Sequence, residues 1–138
     1  MATAFKMSIV SPERVLFEDD ITSLVVPGGE GYLGILAHHA PIITTLLVGE
    51  IKFRTPDNRE VFMATSGGFM EVSNNKATLL VDTAEFLEEI DYGRAQEELQ
   101  RAENLLNMDL SLSDREIAVH SRKKAVNRLA ILKKYGKR

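Results

Sequence analysis

Nine short apolar runs fill the first 84 residues, and no helix-length segment separates any two of them. Phe5, Met7 and Ile9 alternate with Lys6 and Ser8, the period of a strand with one buried face. Runs rich in Val, Ile, Leu and Phe follow at 15–17, 21–26, 32–36, 42–48, 51–54, 61–64, 69–72 and 77–81. Turn formers divide them: Ser11-Pro12, Pro27-Gly28-Gly29, Pro56-Asp57-Asn58, Ser66-Gly67-Gly68 and Ser73-Asn74-Asn75. A parallel α/β sheet needs crossover helices between its strands, and this stretch offers none. Residues 1–84 are therefore expected to form an antiparallel β-sandwich or barrel.

The grammar changes near Glu85. No proline occurs beyond it, and the only glycines are Gly93 and Gly136. Ala95, Leu99, Ala102 and Leu106 recur at helical spacing, with Asp91 placed to cap the first turn. The break is expected at Asn107 to Ser113, where Ser113-Asp114-Arg115-Glu116 reads as the capping box of a second helix. Ala118, Ser121, Ala125, Leu129 and Leu132 give that helix its small or apolar stripe. So short a connection makes the two helices antiparallel neighbours, and residues 85–138 are expected to be a helical hairpin.

Charge follows the same division. Residues 85–111 carry eight acidic and two basic side chains, whereas residues 112–138 carry nine basic and two acidic. Glu97, Glu98 and Glu103 on the first helix face Arg122, Lys123, Lys124 and Arg128 on the second. Exposed pairs of this kind contribute only about 0–1 kcal/mol each and weaken with salt, so they can be exchanged for another partner's at little cost.

Several features resemble chemistry without supporting it. Gly29-Glu30-Gly31-Tyr32-Leu33-Gly34 matches a dinucleotide fingerprint, with Glu50 downstream. That motif needs a helix to begin inside it, and strand and loop residues follow instead. His38 and His39 are adjacent, so an extended chain points them to opposite faces. Cysteine is absent, which excludes disulfides and thiolate metal sites. No nucleophile–base constellation is present. The basic last helix lacks interleaved aromatics apart from Tyr135, so no nucleic-acid partner is expected. No run approaches the about 18 apolar residues of a membrane span, and Met1 to Val10 does not read as a secretory signal. The chain reads as cytosolic or held at a cytosolic-type membrane face.

Four segments carry a resemblance: Ser8-Ile9-Val10-Ser11-Pro12, Gly31 through Pro41 (GYLGILAHHAP), Ser66 through Val72 (SGGFMEV), and Ile90-Asp91-Tyr92-Gly93-Arg94-Ala95. In this order and spacing the chain resembles the ε-subunit family of F-type rotary ATP synthases over nearly its whole length. The family's loop reads proline-glycine before histidine where this chain has Ala37-His38, which leaves the shape of that loop open. The resemblance implies a β-sandwich, residues 1–84, that binds the rotor, followed by a regulatory antiparallel two-helix hairpin, residues 85–138. It implies a non-catalytic central-stalk subunit that couples the catalytic head to the c-ring through the γ subunit. By analogy, rotor contacts fall in the loops Gly28–Tyr32 and Ala37–Pro41, at Glu30, Gly31, Tyr32, His38 and His39. Extended, the hairpin is expected to reach the α/β head and block ATP hydrolysis through Arg122, Lys123, Lys124 and Arg128.

In some bacterial members the folded hairpin binds ATP. The matching motif is Ile90-Asp91-x-x-Arg94-Ala95, with Glu85 upstream. By that analogy Arg94, Lys124 and Arg128 meet phosphates, while Glu85 and Asp91 accept hydrogen bonds. Lys124 stands where arginine is typical and offers a point charge instead of a bidentate fork. The alternative is that Asp91 is only a helix cap and Arg94 only a helix-face charge. ATP enters as a regulatory ligand, and no cofactor is required. The expected location is the cytoplasmic face of a bacterial plasma membrane, peripheral and through the complex only, in preference to a thylakoid. The competing function is a stand-alone β-sandwich adaptor with a helical tail.

Overall fold

The computed structural model describes residues 2–136 and divides into two units, Met1–Phe86 and Leu87–Arg138. Among the described residues the first unit has ten strands: Phe5–Val10 (β1), Val15–Ile21 (β2), Ser23–Gly28 (β3), Gly31–Ile35 (β4), Ile42–Leu46 (β5), Gly49–Arg54 (β6), Glu60–Thr65 (β7), Gly68–Ser73 (β8), Lys76–Val81 (β9) and Ala84–Phe86 (β10). The first nine fall on the apolar runs. β10 is too short to show a period, and it exists because it pairs with β7.

Pairing runs β10-β7-β6-β3-β5-β8-β9-β1-β2, with β4 on β3. The β3–β5 link is a single register pair, Gly28 with Leu46. Either side of it stand two five-stranded sheets. Met7, Ile9 and Leu79 from one sheet and Leu24, Ile51 and Phe53 from the other share one buried cluster. The rings of Phe17 and Phe53, one from each sheet, meet with centroids 4.6 Å apart. A core shared between two sheet faces is a β-sandwich. The ladders are antiparallel but for β1 with β9, which is parallel. That pairing needs no tight crossover, because most of the unit serves as its connection.

The turns follow their residues. Asn74 and Asn75, at φ 50 and 59, form the two-residue loop between β8 and β9, where successive positive φ angles match the twist of a hairpin. In the β6–β7 turn the Thr55 hydroxyl donates to the Asp57 carboxylate, and Arg59 Nε lies 3.1 Å from it. Together they hold that carboxyl below the usual range. At Gly68, φ 151, any side chain would run into the Leu80 carbonyl.

In the second unit a 3-10 turn at Leu87–Glu89 precedes Tyr92–Leu106 (α1) and Leu112–Tyr135 (α2). Asp91 caps α1 as expected, accepting from the Arg94 amide at 3.0 Å. The cap of α2 is Ser111, not Ser113: its hydroxyl accepts from the Asp114 amide at 3.2 Å, and its carbonyl from the Arg115 amide at 2.9 Å. Ser111-x-x-Asp114 thus wins over Ser113-x-x-Glu116, and the connection shortens to residues 107–111. The Arg115 guanidinium donates to the Leu106 carbonyl at the end of α1. Ala95 and Ala102 on α1 and Ala118 and Ala125 on α2 are buried. Such a seam permits close approach but buries little apolar area, since each methyl group contributes on the order of 1 kcal/mol. Among the described residues, no helix is long and apolar enough to cross a membrane.

Candidate functional site

Strand register assembles a surface that no single run displays. Thr45 lies opposite Phe69, Phe69 opposite Leu80, Leu80 opposite Val10, and Val10 opposite Val15. Directly opposed residues share a face, so Thr45, Phe69, Leu80 and Val10 form one row across β5, β8, β9 and β1, and a bulge between Ile9 and Val10 brings Val15 of β2 to its end. The neighbouring row on the same sheet, Met70, Leu79, Ile9 and Phe17, points the other way, into the core. The outward row is apolar and open: Phe69 is 58% exposed, Leu80 56% and Val15 59%, with Ile43 beside it at 75%. An outward row of large apolar side chains on a sheet is a candidate interaction surface.

The two loops assigned to rotor contact take different places. The turn at Gly29-Glu30 adjoins the apolar row, because the Gly29 amide donates to the Thr45 carbonyl at 3.0 Å. Approach there is so close that a Cβ on Gly29 would stand 2.6 Å from the Thr45 hydroxyl. Gly31, at φ 124, closes the turn; Tyr32 is exposed, and its hydroxyl accepts from the Glu50 amide at 3.0 Å. His38 and His39 lie beyond the opposite end of β4, whose five residues span roughly 17 Å. There the His38 amide donates to Asn75 Oδ1 at 2.7 Å, and His39 Nδ1 lies 2.6 Å from the Ala40 carbonyl. Only the first loop is continuous with the row.

In the second unit the charges pair across the hairpin. Arg122 Nε lies 3.6 Å from Glu103, and Arg128 Nη1 lies 3.4 Å from Glu98. Glu98 also takes Arg94 Nε at 3.5 Å on its other oxygen. Of the nucleotide candidates, Arg94 and Arg128 thereby meet on one carboxylate, while Asp91 is taken up as the cap of α1. Asp91, Gly93, Arg94, Glu97, Glu98 and Arg101 line an open groove along α1. Lys124 is half-buried on α2, and neither it nor Lys123 has an ion-pair partner among the described residues. Ile90 is buried just ahead of the cap. Glu85 belongs to the first unit, on β10 opposite Ala64.

The apolar row escaped the sequence reading, although the alternation of Phe69-Met70-Glu71-Val72 holds its signal. Phe69 lies out of phase with Met70 and Val72, so it points away from the core they build. A second such set lies on α2, where Leu112, Val119 and Val126 recur every seven residues and stand exposed.

Residues 4–87 match the family model described as the β-sandwich domain of the ATP synthase delta/epsilon chain. The ATP synthase epsilon chain of Desulforamulus reducens is 44% identical over 133 residues, covering 94% of this chain and 97% of that one. That of Syntrophomonas wolfei is 42% identical over 106 residues, 77% of each. Among solved structures, a chain of the Euglena gracilis mitochondrial ATP synthase superposes with a TM-score of 0.82 at 18% identity, covering 96% of this chain and 84% of that one.

Proposed function

Since this chain belongs to the ATP synthase epsilon-chain family and is an accessory, non-catalytic subunit, we propose that it serves in the central stalk as a rotor subunit. In this reading the sandwich binds the γ subunit and rests on the c-ring, and the hairpin restrains ATP hydrolysis. The observation that carries it is the outward row Val10, Val15, Phe69 and Leu80, continuous with the Gly29-Glu30 turn. A stalk protein suits that row with an apolar partner face, and its turn with a polar one. Complex assembly then holds the chain at the cytoplasmic face of a bacterial plasma membrane.

The inhibitory role rests on how the hairpin is closed. Its seam is largely alanine, and Arg122 and Arg128 are tied to α1 by exposed or half-buried pairs that are each weak. The same arginines, with Lys123 and Lys124, are then available to acidic surface on the α/β head. The exposed Leu112, Val119 and Val126 give an extended α2 a second seam to bury. ATP, held by Arg94 and Arg128, favours the closed hairpin and makes inhibition sensitive to energy state.

Assembling the ATP synthase with a chain that lacks residues 88–138 tests both halves. Assembly and coupling are expected to persist while ATP hydrolysis rises severalfold. Unchanged hydrolysis removes the inhibitory role, and failure to assemble removes the sandwich as the rotor element.

A further inference from the structure

We propose that Glu98 is a built-in substitute for phosphate, bridging Arg94 and Arg128 until a polyphosphate ligand displaces it. This rests on the reading that the hairpin takes ATP, and it adds what sets the threshold for doing so. The two carboxylate oxygens each face one guanidinium, Oε1 at 3.5 Å from Arg94 Nε and Oε2 at 3.4 Å from Arg128 Nη1. A phosphate would present acceptors to the same two cations. Charge-assisted bonds of this type close to about 2.7–2.9 Å when geometry allows, so the glutamate reaches both partners without closing tightly on either. The Arg94–Glu98 pair also has its cation on the N-terminal side, the weaker order for residues four apart on a helix. The Arg94 side chain is 79% exposed and that of Arg128 23%, so one arm of the bridge opens to solvent while the other stays lodged between the helices. A ligand can capture Arg94 first and then take over Arg128.

Occupancy by Glu98 has two effects. It closes the hairpin without nucleotide, and it lowers apparent affinity, because the ligand has to displace a charge already in place. Glu98→Gln keeps the shape and removes the competing charge. Glu98→Asp keeps the charge but shortens the reach, so its bridge to Arg128 is lost.

The test is calorimetry of the full chain and both variants with ATP and with inorganic tripolyphosphate, alongside thermal unfolding with and without each ligand. Glu98→Gln is expected to bind both ligands about tenfold more tightly than the unaltered chain, the scale of one charge-assisted bond no longer competed for. Glu98→Asp should fall between. Without ligand, Glu98→Gln should unfold at a lower temperature, and saturating ATP should remove the difference. A residue with a merely structural role would lose affinity along with stability. Equal affinities for Glu98→Gln and the unaltered chain overturn the proposal and leave the ATP reading standing. Weaker binding by Glu98→Gln also overturns it, making Glu98 part of the ligand cradle. No heat from any of the three chains at millimolar ATP overturns both readings.

Discussion

His38 holds its backbone at φ 64, a region that costs an L side chain about 1–2 kcal/mol and glycine almost nothing. The related loop pattern carries glycine at this place, and the strand-to-strand path here keeps the conformation glycine would favour. The hydrogen bond from the His38 amide to Asn75 helps hold the histidine there. Glycine also frees the unfolded chain, which takes back part of the gain. His38→Gly is therefore expected to stabilise the protein by roughly 0.5–1 kcal/mol, seen as a rise in melting temperature; a fall would mean that the imidazole itself packs. The departure from the pattern was legible in Ala37-His38, but its outcome was not, because a φ angle is set by what the two strand ends demand. At Ser66-Gly67-Gly68 the sequence spoke more clearly. Two glycines between apolar runs announce a close approach, and the Leu46 and Leu80 carbonyls fill the space that side chains would need.

Among the elements, α2 shows how two local signals compete. Ser113-x-x-Glu116 is the better capping box on paper, yet Ser111 holds the position. The earlier cap adds Leu112 and Ser113 to the helix and leaves a connection of five residues. Ser111→Ala should destabilise the hairpin by about 1 kcal/mol, whereas Ser113→Ala should stay within about 0.5 kcal/mol of the unaltered chain. Thermal unfolding followed by circular dichroism of the helical signal separates the two, and equal losses would return the cap to Ser113. The strands themselves were legible from turn residues and alternation. β10 was not, since Ala84-Glu85-Phe86 has no pattern apart from its partner β7.

For the molecule as a whole, the main thing hidden from the sequence was which strands become neighbours. Phe69, Leu80, Val10 and Val15 come from four strands and meet only through long-range register. Phe69→Asp with Leu80→Asp should leave folding nearly intact, since both side chains already face solvent. On the proposed stalk role it should abolish co-purification with the γ subunit; retained binding would move the partner surface elsewhere. The nucleotide candidates were legible only in part: the two arginines were named in advance, but Glu98 stood only as one of three acidic side chains facing the second helix, because charge at helical spacing does not reveal which partner a side chain takes. The parallel ladder between β1 and β9 has a further consequence for biosynthesis. As the nascent chain leaves the ribosome, its first strand finds β2 within a few residues, but its other edge stays bare until Val81 has emerged. Residues 5–10 are thus the first strand of the sandwich to be made and among the last to be enclosed, and a chain stalled before the ninth strand carries an open, apolar edge that invites aggregation. The hairpin has no such wait, because its contacts are local and close as soon as both helices are out.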